Sequence, residues 1–341
     1  MATWLIKQWY AKQTPPLILQ LLGYFYLALI LLRKALYRLH IFNTKRLNVP
    51  VIVVGNISVG GTGKTPLVIY LAQALAARGF HPGVISRGYA RTSRQTMQVD
   101  KSMAVSQVGD EPFMMQAHLN CPIWVGVDRV KTAQQLLNAA PQVDVILSDD
   151  GLQHYALARD IEIMVFDAER GIGNGYVLPA GPLREPVSRL AQADIAVING
   201  IAKQDWPWLK QLTQVNMQLQ FGRLTPVNPS SAQQQTKTLN ALQGIKLHAV
   251  AGIGNPERFF TALRAQGLNI QPHQFDDHHH YRIEDFAGML DAPIIMTEKD
   301  AVKCRDFPLT QAWYLPVTAS LDAELIEYLV RRLQILRGQH G

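Results

Sequence analysis

Residues 50–66 read PVIVVGNISVGGTGKTP, and the types and spacing in its second half could hold a nucleoside triphosphate. Gly60, Gly61 and Gly63 let backbone N–H groups turn inward around phosphate oxygens, with Ser58 and Thr62 completing the turn. Lys64 has the reach for the β- and γ-phosphates, and the Thr65 hydroxyl can ligate Mg²⁺. The general pattern G-x-x-x-x-G-K-[ST] asks for glycine where this chain has Ser58. The flanks supply what such a loop needs. Val51 to Val54 is the β-branched run of a buried parallel strand, and Lys64 onward has the spacing of an amphipathic helix whose N-terminus adds partial positive charge.

Two acidic segments could complete the chemistry. Val143 to Leu147 is an apolar strand running through Ser148 into Asp149 and Asp150, which would bring a carboxylate from a strand's C-terminal end to the phosphates and metal. One of the two should hold Mg²⁺, although paired aspartates also cap turns. Transfer of a phosphoryl group to a hydroxyl needs a proton acceptor, and Asp110 in Val108-Gly109-Asp110-Glu111-Pro112 is a candidate, with a helix N-cap as the alternative. Further on, Asp276-Asp277-His278-His279-His280 puts three histidines beside acids. Adjacent loop residues seldom point at one ion, so a histidine paired with a carboxylate is the better reading than a transition-metal site.

The elements that must position these residues alternate. Strands fit Pro82 to Ser86, Pro122 to Val127, Val143 to Leu147, Ile161 to Phe166 and Asp194 to Ile198, with helices at about 65–78, after Asp110, and at about 129–139. That pattern predicts an α/β fold, a parallel sheet of the P-loop type with helices on both faces. GIGNGYVLPAGPLREP, between the last two of these strands, reads as a long functional loop. Regularity weakens from Ile201 to Gly244, and Asn228 to Gln235 (NPSSAQQQ) looks like a connector. A second, smaller α/β domain is expected over 226–341, with strands at Leu247 to Ala251, Ile294 to Thr297 and Trp313 to Val317, and helices at Pro256 to Gln266 and Asp322 to Arg337. The P-loop domain takes 46–225 and an N-terminal membrane helix with its basic flank 1–45.

Charge is unevenly placed. Residues 1–99 carry twelve Lys and Arg and no Asp or Glu, while the rest of the chain is net −5. Such a field suits phosphates or an anionic bilayer surface. Leu17 to Leu32 (LILQLLGYFYLALILL) is uncharged and flanked by Lys7, Lys12, Arg33, Lys34 and Arg38, so it reads as membrane-seeking. As a helix it spans roughly 24 Å against a hydrocarbon core of about 30 Å, which leaves a short crossing and a monotopic anchor both open. The cations after it replace the small-residue cleavage site of a secretory signal and favour a cytoplasmic position for the P-loop domain. Cys121 and Cys304 stand far apart without C-x-x-C spacing, as buried thiols of a reducing compartment would.

GNISVGGTGKTP, SRGYAR from Ser86, VGDEP from Val108, SDDGLQH from Ser148, LPAGPLREP from Leu178, FDDHHHY from Phe275 and MTEKDAVK from Met296 together resemble the tetraacyldisaccharide 4′-kinase family, the lipid A 4′-kinases of bacteria with an outer membrane. The resemblance runs from residue 50 to 303, and only its P-loop is common elsewhere. It implies transfer of the γ-phosphate of ATP to the 4′-hydroxyl of tetraacyldisaccharide 1-phosphate, giving lipid IV-A at the cytoplasmic face of the inner membrane. It further implies Lys64 and Thr65 in the P-loop roles, Asp110 as base with His278 as its dyad partner, and Glu111 and Asp149 as Mg²⁺ ligands with Thr65. Asp150, Arg184 and Glu185 become additional site residues, and Ser86, Arg87, Gly88, Tyr89 and Arg91 are associated with the acceptor. The family's F-P-D-H-H-x-Y has proline where this chain has Asp276, so Asp277 and His278 take the motif positions. The lipid substrate and the inner-membrane surface are the expected partners, with no obligate protein partner.

Other readings are weaker. A kinase of a soluble sugar would use the N-terminal helix only as a tether. A membrane ATPase switch of the G-G-x-G-K-T branch would carry a second lysine where Val59 stands. No [NT]-K-x-D run reads guanine, and Thr297-Glu298-Lys299-Asp300 has the wrong order. The cations coincide with an apolar segment and the P-loop rather than an aromatic-interleaved stripe, which argues against nucleic acid.

Overall fold

In a computed structural model of the chain, residues 2–11, 13–202, 205–228 and 235–340 are described. Of the expected connector, residues 229–234 lie outside these, as does the flanking Lys12. Strands β1 (Val51–Gly55), β2 (Pro82–Ser86), β3 (Met97–Gln98), β4 (Ile123–Val125), β5 (Val145–Asp149), β6 (Ile161–Asp167), β7 (Ile195–Asn199) and β8 (Thr213–Phe221) build a large sheet with β14 (Val317–Leu321). Its order is β14-β8-β7-β6-β1-β5-β2-β4-β3, parallel except for the two outermost pairs.

Alternation along β1 explains why helices cover both faces. Ile52 and Val54 pack on one side with Leu67, Leu71 and Leu75 of α3 (Lys64–Ala76). Val51 and Val53 pack on the other with Ala133 and Leu136 of α6 (Arg129–Ala139). The order places β7, β6, β1, β5 and β2 side by side, so Asn199, Asp167, Gly55, Asp149 and Ser86, their last residues, line one edge. This is the edge at which parallel α/β sheets place ligands.

A second sheet holds β9 (Thr225–Pro226), β10 (Lys246–Ala251), β11 (Asn269–Gln274), β12 (Ile294–Thr297) and β13 (Ala312–Leu315), in the order β11-β10-β12-β13-β9. Helix α7 (Pro256–Ala265) covers one face through Phe259, Phe260 and Leu263, and α8 (Glu298–Cys304) the other through Ala301 and Cys304.

The carboxy-terminal end corrects the division expected at residue 226. The single strand expected at Trp313 to Val317 is two, because Pro316 interrupts the ladder: β13 belongs to the small sheet and β14 returns to the large one, antiparallel to β8. Helix α9 (Ala323–His340) then buries Leu325, Ile326, Leu329 and Leu333 in the same core as α3. The segment 201–244 also holds the nine-residue β8, in which Val215, Met217 and Leu219 alternate with the exposed Gln214, Asn216, Gln218 and Gln220.

Two helices precede the sheets. Helix α1 (Ala2–Tyr10) anchors through Trp9, whose indole donates to the Pro179 carbonyl at 2.9 Å. Helix α2 (Leu17–Arg38) is longer than its apolar run and is the one described helix long and apolar enough to cross a membrane. Only 6% of its most apolar window is buried, so it is no core helix. Its inner face meets the large domain at Gly23, 3.2 Å from Ala180 Cβ when a Cβ is built there, and at Tyr26, whose hydroxyl donates to the Arg184 carbonyl at 3.3 Å.

Candidate active site

The P-loop leaves the C-terminal end of β1 and turns on Gly60 and Gly63, at φ 104° and 95°, a region open to glycine. Space at Gly63 forbids a side chain as well, since a Cβ would overlap the Asn199 amide nitrogen. Ser58 bridges Leu183, Val59 N–H donates to Pro182 O at 2.8 Å and Arg184 N–H donates to Ile57 O at 2.6 Å. The Gly/Pro-rich loop is thereby zipped onto the P-loop approach, and this delivers Arg184.

Lys64 Nζ donates to Asn56 Oδ1 at 3.1 Å and lies 3.5 Å from Asp150 Oδ1, while Arg184 Nη1 donates to both Asp150 oxygens at 3.1 and 2.9 Å. Burial opposes ionisation of Asp150, but the charges of Lys64 and Arg184 and the hydrogen bond from Arg184 outweigh it and hold the carboxyl well below its usual range. Its φ of 47° is a left-handed conformation that a short polar side chain tolerates.

Asp149 is different. It is 1% exposed, accepts from Ser86 Oγ at 3.2 Å through one oxygen, and has no hydrogen-bond partner for Oδ1 among the described residues. Burial first, then the charges of Glu111 and Asp150, push its carboxyl up to about 7. Beneath it the buried Arg129 donates to the Asp149 and Gly126 carbonyls at 3.3 and 2.7 Å. An orphaned buried carboxylate oxygen with further acids close by fits a cation.

Asp110 opens α5 (Asp110–His118) from Gly109, whose φ of 93° and contact with Gly88 set the turn. Its Oδ1 accepts from Glu111 N–H at 2.9 Å, but the N-cap is Gly109, so Asp110 stands in the acidic first turn and is not the cap. Its Oδ2 accepts from His278 Nδ1 at 2.9 Å. Burial resists the charge, but the hydrogen bond from His278 and the charges of Lys299 and Lys303 hold Asp110 down at about 2. His278 sits at φ 61°, a conformation costly enough to need support from its surroundings. The neighbouring His279 turns away to Asp285 at 3.0 Å, so the three histidines do not converge.

Lys299, which sequence reasoning did not single out, joins the two acidic groups. Its Nζ donates to Glu111 Oε1 at 3.0 Å and Asp277 Oδ1 at 3.2 Å and lies 3.3 Å from His278 Nε2. Burial disfavours its charge, but Glu111, Asp110 and Asp277 raise its affinity for the proton well above the ordinary lysine range. The signal was present, since Lys299 lies inside MTEKDAVK. There Thr297 caps α8, and Asp300 accepts from Thr297 Oγ1 at 2.6 Å and Gly252 N–H at 2.9 Å. Also unnoticed was His154 of SDDGLQH, whose protonation burial and the charges of Arg129 and Arg87 suppress to about 3.

The acceptor-associated residues divide. A cleft of about 260 Å³ opens on Asp110 and His278, lined in part by Tyr89, Ser106, His280 and Lys303. The exposed Tyr89 ring lies 4.6 Å from that of His278. Gly88 packs on the Val108 carbonyl at φ 63°, Arg87 is exposed, and Arg91 donates to Gln95 O at 2.7 Å. Ser86 faces Asp149 instead. Glu185, expected as an additional site residue beside Arg184, is 1% exposed, and its carboxylate is taken up by Tyr155, Gln153 at 3.0 Å, Lys34 of α2 at 2.9 Å and Arg189 at 3.4 Å.

The same combination of fold and residues recurs in known proteins. The family model for LpxK, tetraacyldisaccharide-1-P 4′-kinase, matches residues 16–334. A tetraacyldisaccharide 4′-kinase of Methylobacillus flagellatus is 46% identical over 330 residues, covering 97% of this chain and 96% of that one. Another from Dechloromonas aromatica is 44% identical and covers 98% of each. A crystal structure of LpxK from Aquifex aeolicus, described as an "apo" form in complex with ATP, superposes with a TM-score of 0.74 at 28% identity, over 92% of this chain and 97% of its own. With matches of this length and identity on a P-loop site of this build, the chain belongs to the tetraacyldisaccharide 4′-kinase family.

Proposed function

We propose that the chain transfers the γ-phosphate of ATP to the 4′-hydroxyl of tetraacyldisaccharide 1-phosphate with Lys64, Arg184, Asp110 and His278 as the working side chains. The observation that carries these roles is that Glu111, next to the Asp110–His278 pair, acts by its charge on Asp149, next to the Lys64–Asp150–Arg184 cluster. Phosphoryl transfer asks little covalent work of a protein and much positioning and charge neutralisation. Gly60 to Thr65 cradle the phosphates, and Lys64 and Arg184 face the charge that spreads over the transferred group. Asp150 holds both cations in place.

Asp110 orients the sugar hydroxyl and receives its proton. A carboxylate held near 2 is a weak base, which suits a loose transition state in which the hydroxyl gives up its proton late. His278 donates from Nδ1 and keeps the receiving carboxylate in register. Tyr89, Arg87 and Arg91 line the way in for the disaccharide. Thr65, Glu111 and Asp149 would hold Mg²⁺, with Asp149 preferred to Asp150 because its Oδ1 is unpartnered while Asp150 is engaged by two cations. When bound, the metal would neutralise phosphate charge.

The lipid acceptor and α2 assign the place of work. Contacts to the large domain recur along α2 at Gly23, Tyr26, Lys34 and Tyr37, whose ring is 5.6 Å from that of Tyr155. A helix so docked along its length lies in the membrane surface as a monotopic anchor, since crossing would carry the Arg184 segment into hydrocarbon. The cation excess around it supports work at the anionic cytoplasmic leaflet. Incubation of the purified protein with labelled ATP, Mg²⁺ and tetraacyldisaccharide 1-phosphate in detergent tests the reading: label enters the lipid in the wild type and not in Asp110→Ala. ATP hydrolysis with no lipid labelling would overturn it.

A further inference from the structure

The amino-terminal turn of α7 reaches from the small sheet to the P-loop at two points that the mechanism above leaves unused. Gly254 lies so close to Gly60 and Gly61 that a Cβ would overlap the Gly61 nitrogen, and its carbonyl accepts from Arg170 Nη1 at 2.7 Å. One turn on, Arg258 donates to Asn199 Oδ1 at 2.8 Å and to Asp167 Oδ2 at 3.4 Å. Both acceptors end central strands of the large sheet and are 1% and 2% exposed. The other end of the Asn199 amide is turned to the P-loop, where Nδ2 donates to the Thr62 carbonyl at 2.9 Å. The same nitrogen fills the space that a side chain on Gly63 would need.

A carboxamide has one face that accepts and one that donates, whereas a guanidinium only donates. Arg258 therefore decides which way the buried amide points. With the oxygen facing Arg258, the NH₂ group must face Thr62 O. Without Arg258 the amide is free to turn over, and its oxygen would then confront the carbonyl oxygen of Thr62 and push the loop out of shape. We propose that Arg258 is a positioning residue for the nucleotide site: from the small sheet it fixes the Asn199 amide, and the amide fixes the P-loop that receives the phosphates. The inference rests on the ATP-dependent kinase reading. It couples nucleotide affinity to seating of α7 against the large sheet, and by linkage ATP must stabilise that seating in return.

A double-mutant cycle tests it on the full chain. ATP dissociation constants are measured by titration calorimetry for wild type, Arg258→Ala, Asn199→Ala and the double variant, beside KM for the lipid acceptor. Loss of a charge-assisted hydrogen bond predicts ATP affinity about tenfold weaker in each single variant. The double variant should be no weaker than the worse single one, with lipid KM unchanged and partial recovery in Arg258→Lys. Effects that multiply would overturn the proposal, because Arg258 would then act without Asn199; so would unchanged ATP affinity in either single variant. Should thermal melting show that Asn199→Ala does not fold, a folded Arg258→Ala with wild-type ATP affinity still overturns it. A wild type that binds ATP but labels no lipid would count against the kinase reading alone and leave these affinities to judge the relay.

Discussion

The phosphate loop of the active site lies within one strand-loop-helix unit, from Val51 to Ala76, whereas the other half joins Asp110 to a histidine 168 positions away. In the loop much of the backbone geometry is local, with glycines at positive φ, a lysine at the helix start and a threonine beside it, and distant residues trim it. In the second, nothing local sets the distance. His278 reaches Asp110 because β10, β12 and α8 are seated where Lys299 meets Glu111 and His118 meets Glu298. A site divided this way has a preformed half that binds and a conditional half that commits. Catalysis requires both, but damage to each should be felt differently.

The largest effect should come from Lys64→Ala, which removes the charge proposed to face the transferred phosphoryl group: kcat is expected to fall about 10³-fold, measured with saturating lipid and ATP. A fall below tenfold would mean that the preformed half is not where charge is stabilised. Asp110→Asn comes next, with kcat lower by about 10²-fold and ATP affinity unchanged. If the pair acts as a unit, His278→Ala added to it costs little more. Parallel losses of ATP binding in these dyad variants would erase the distinction between the two halves.

Lys34→Ala sharpens the comparison from the membrane side. It leaves the 2%-exposed Glu185 with fewer cationic partners, so unfolding stability should drop by about 1–3 kcal/mol in a denaturant titration. Because Glu185 follows Arg184 in sequence, kcat should fall as well even on a short-chain acceptor. Unchanged stability would show that α2 is only a tether.

The smallest effect is pH-dependent. The hydrogen bond to Glu298, opposed by burial, raises the pKa of His118 above 6.5, so its stabilising contribution is complete below about 6.5 and is lost as pH rises through the higher folded value. The melting temperature of His118→Gln should therefore trail the wild type at pH 6 and match it at pH 9, a difference worth about 1 kcal/mol or less. The reverse order would remove this contact from those that seat the small sheet.

Much of the site was readable because its chemistry is carried by short runs. The P-loop and the acidic end of β5 stand out without a fold, since a backbone conformation or a strand end fixes what the side chain can reach, whereas the pairing of Asp110 with His278 of FDDHHHY came only from the family resemblance. Sequence adjacency to Arg184 says nothing about the direction of Glu185, which in the folded chain points into a buried ion cluster while Arg184 points to Asp150. Asp149 and Asp150 could not be separated for the same reason.

The sequence by itself determined the nucleotide loop, the alternation of strands and helices and the apolar N-terminal helix. These depend on period, spacing and local conformational preference, which are properties of neighbours in the chain. Only the tertiary structure decided that β14 and α9 return to the large sheet, that Lys299 stands among Glu111, Asp277 and His278, that Asp149 keeps one oxygen free, and that Arg258 faces Asn199. Each of these follows from packing between elements distant in sequence, where the burial of apolar faces sets the placement and the polar groups are fixed by what they then meet.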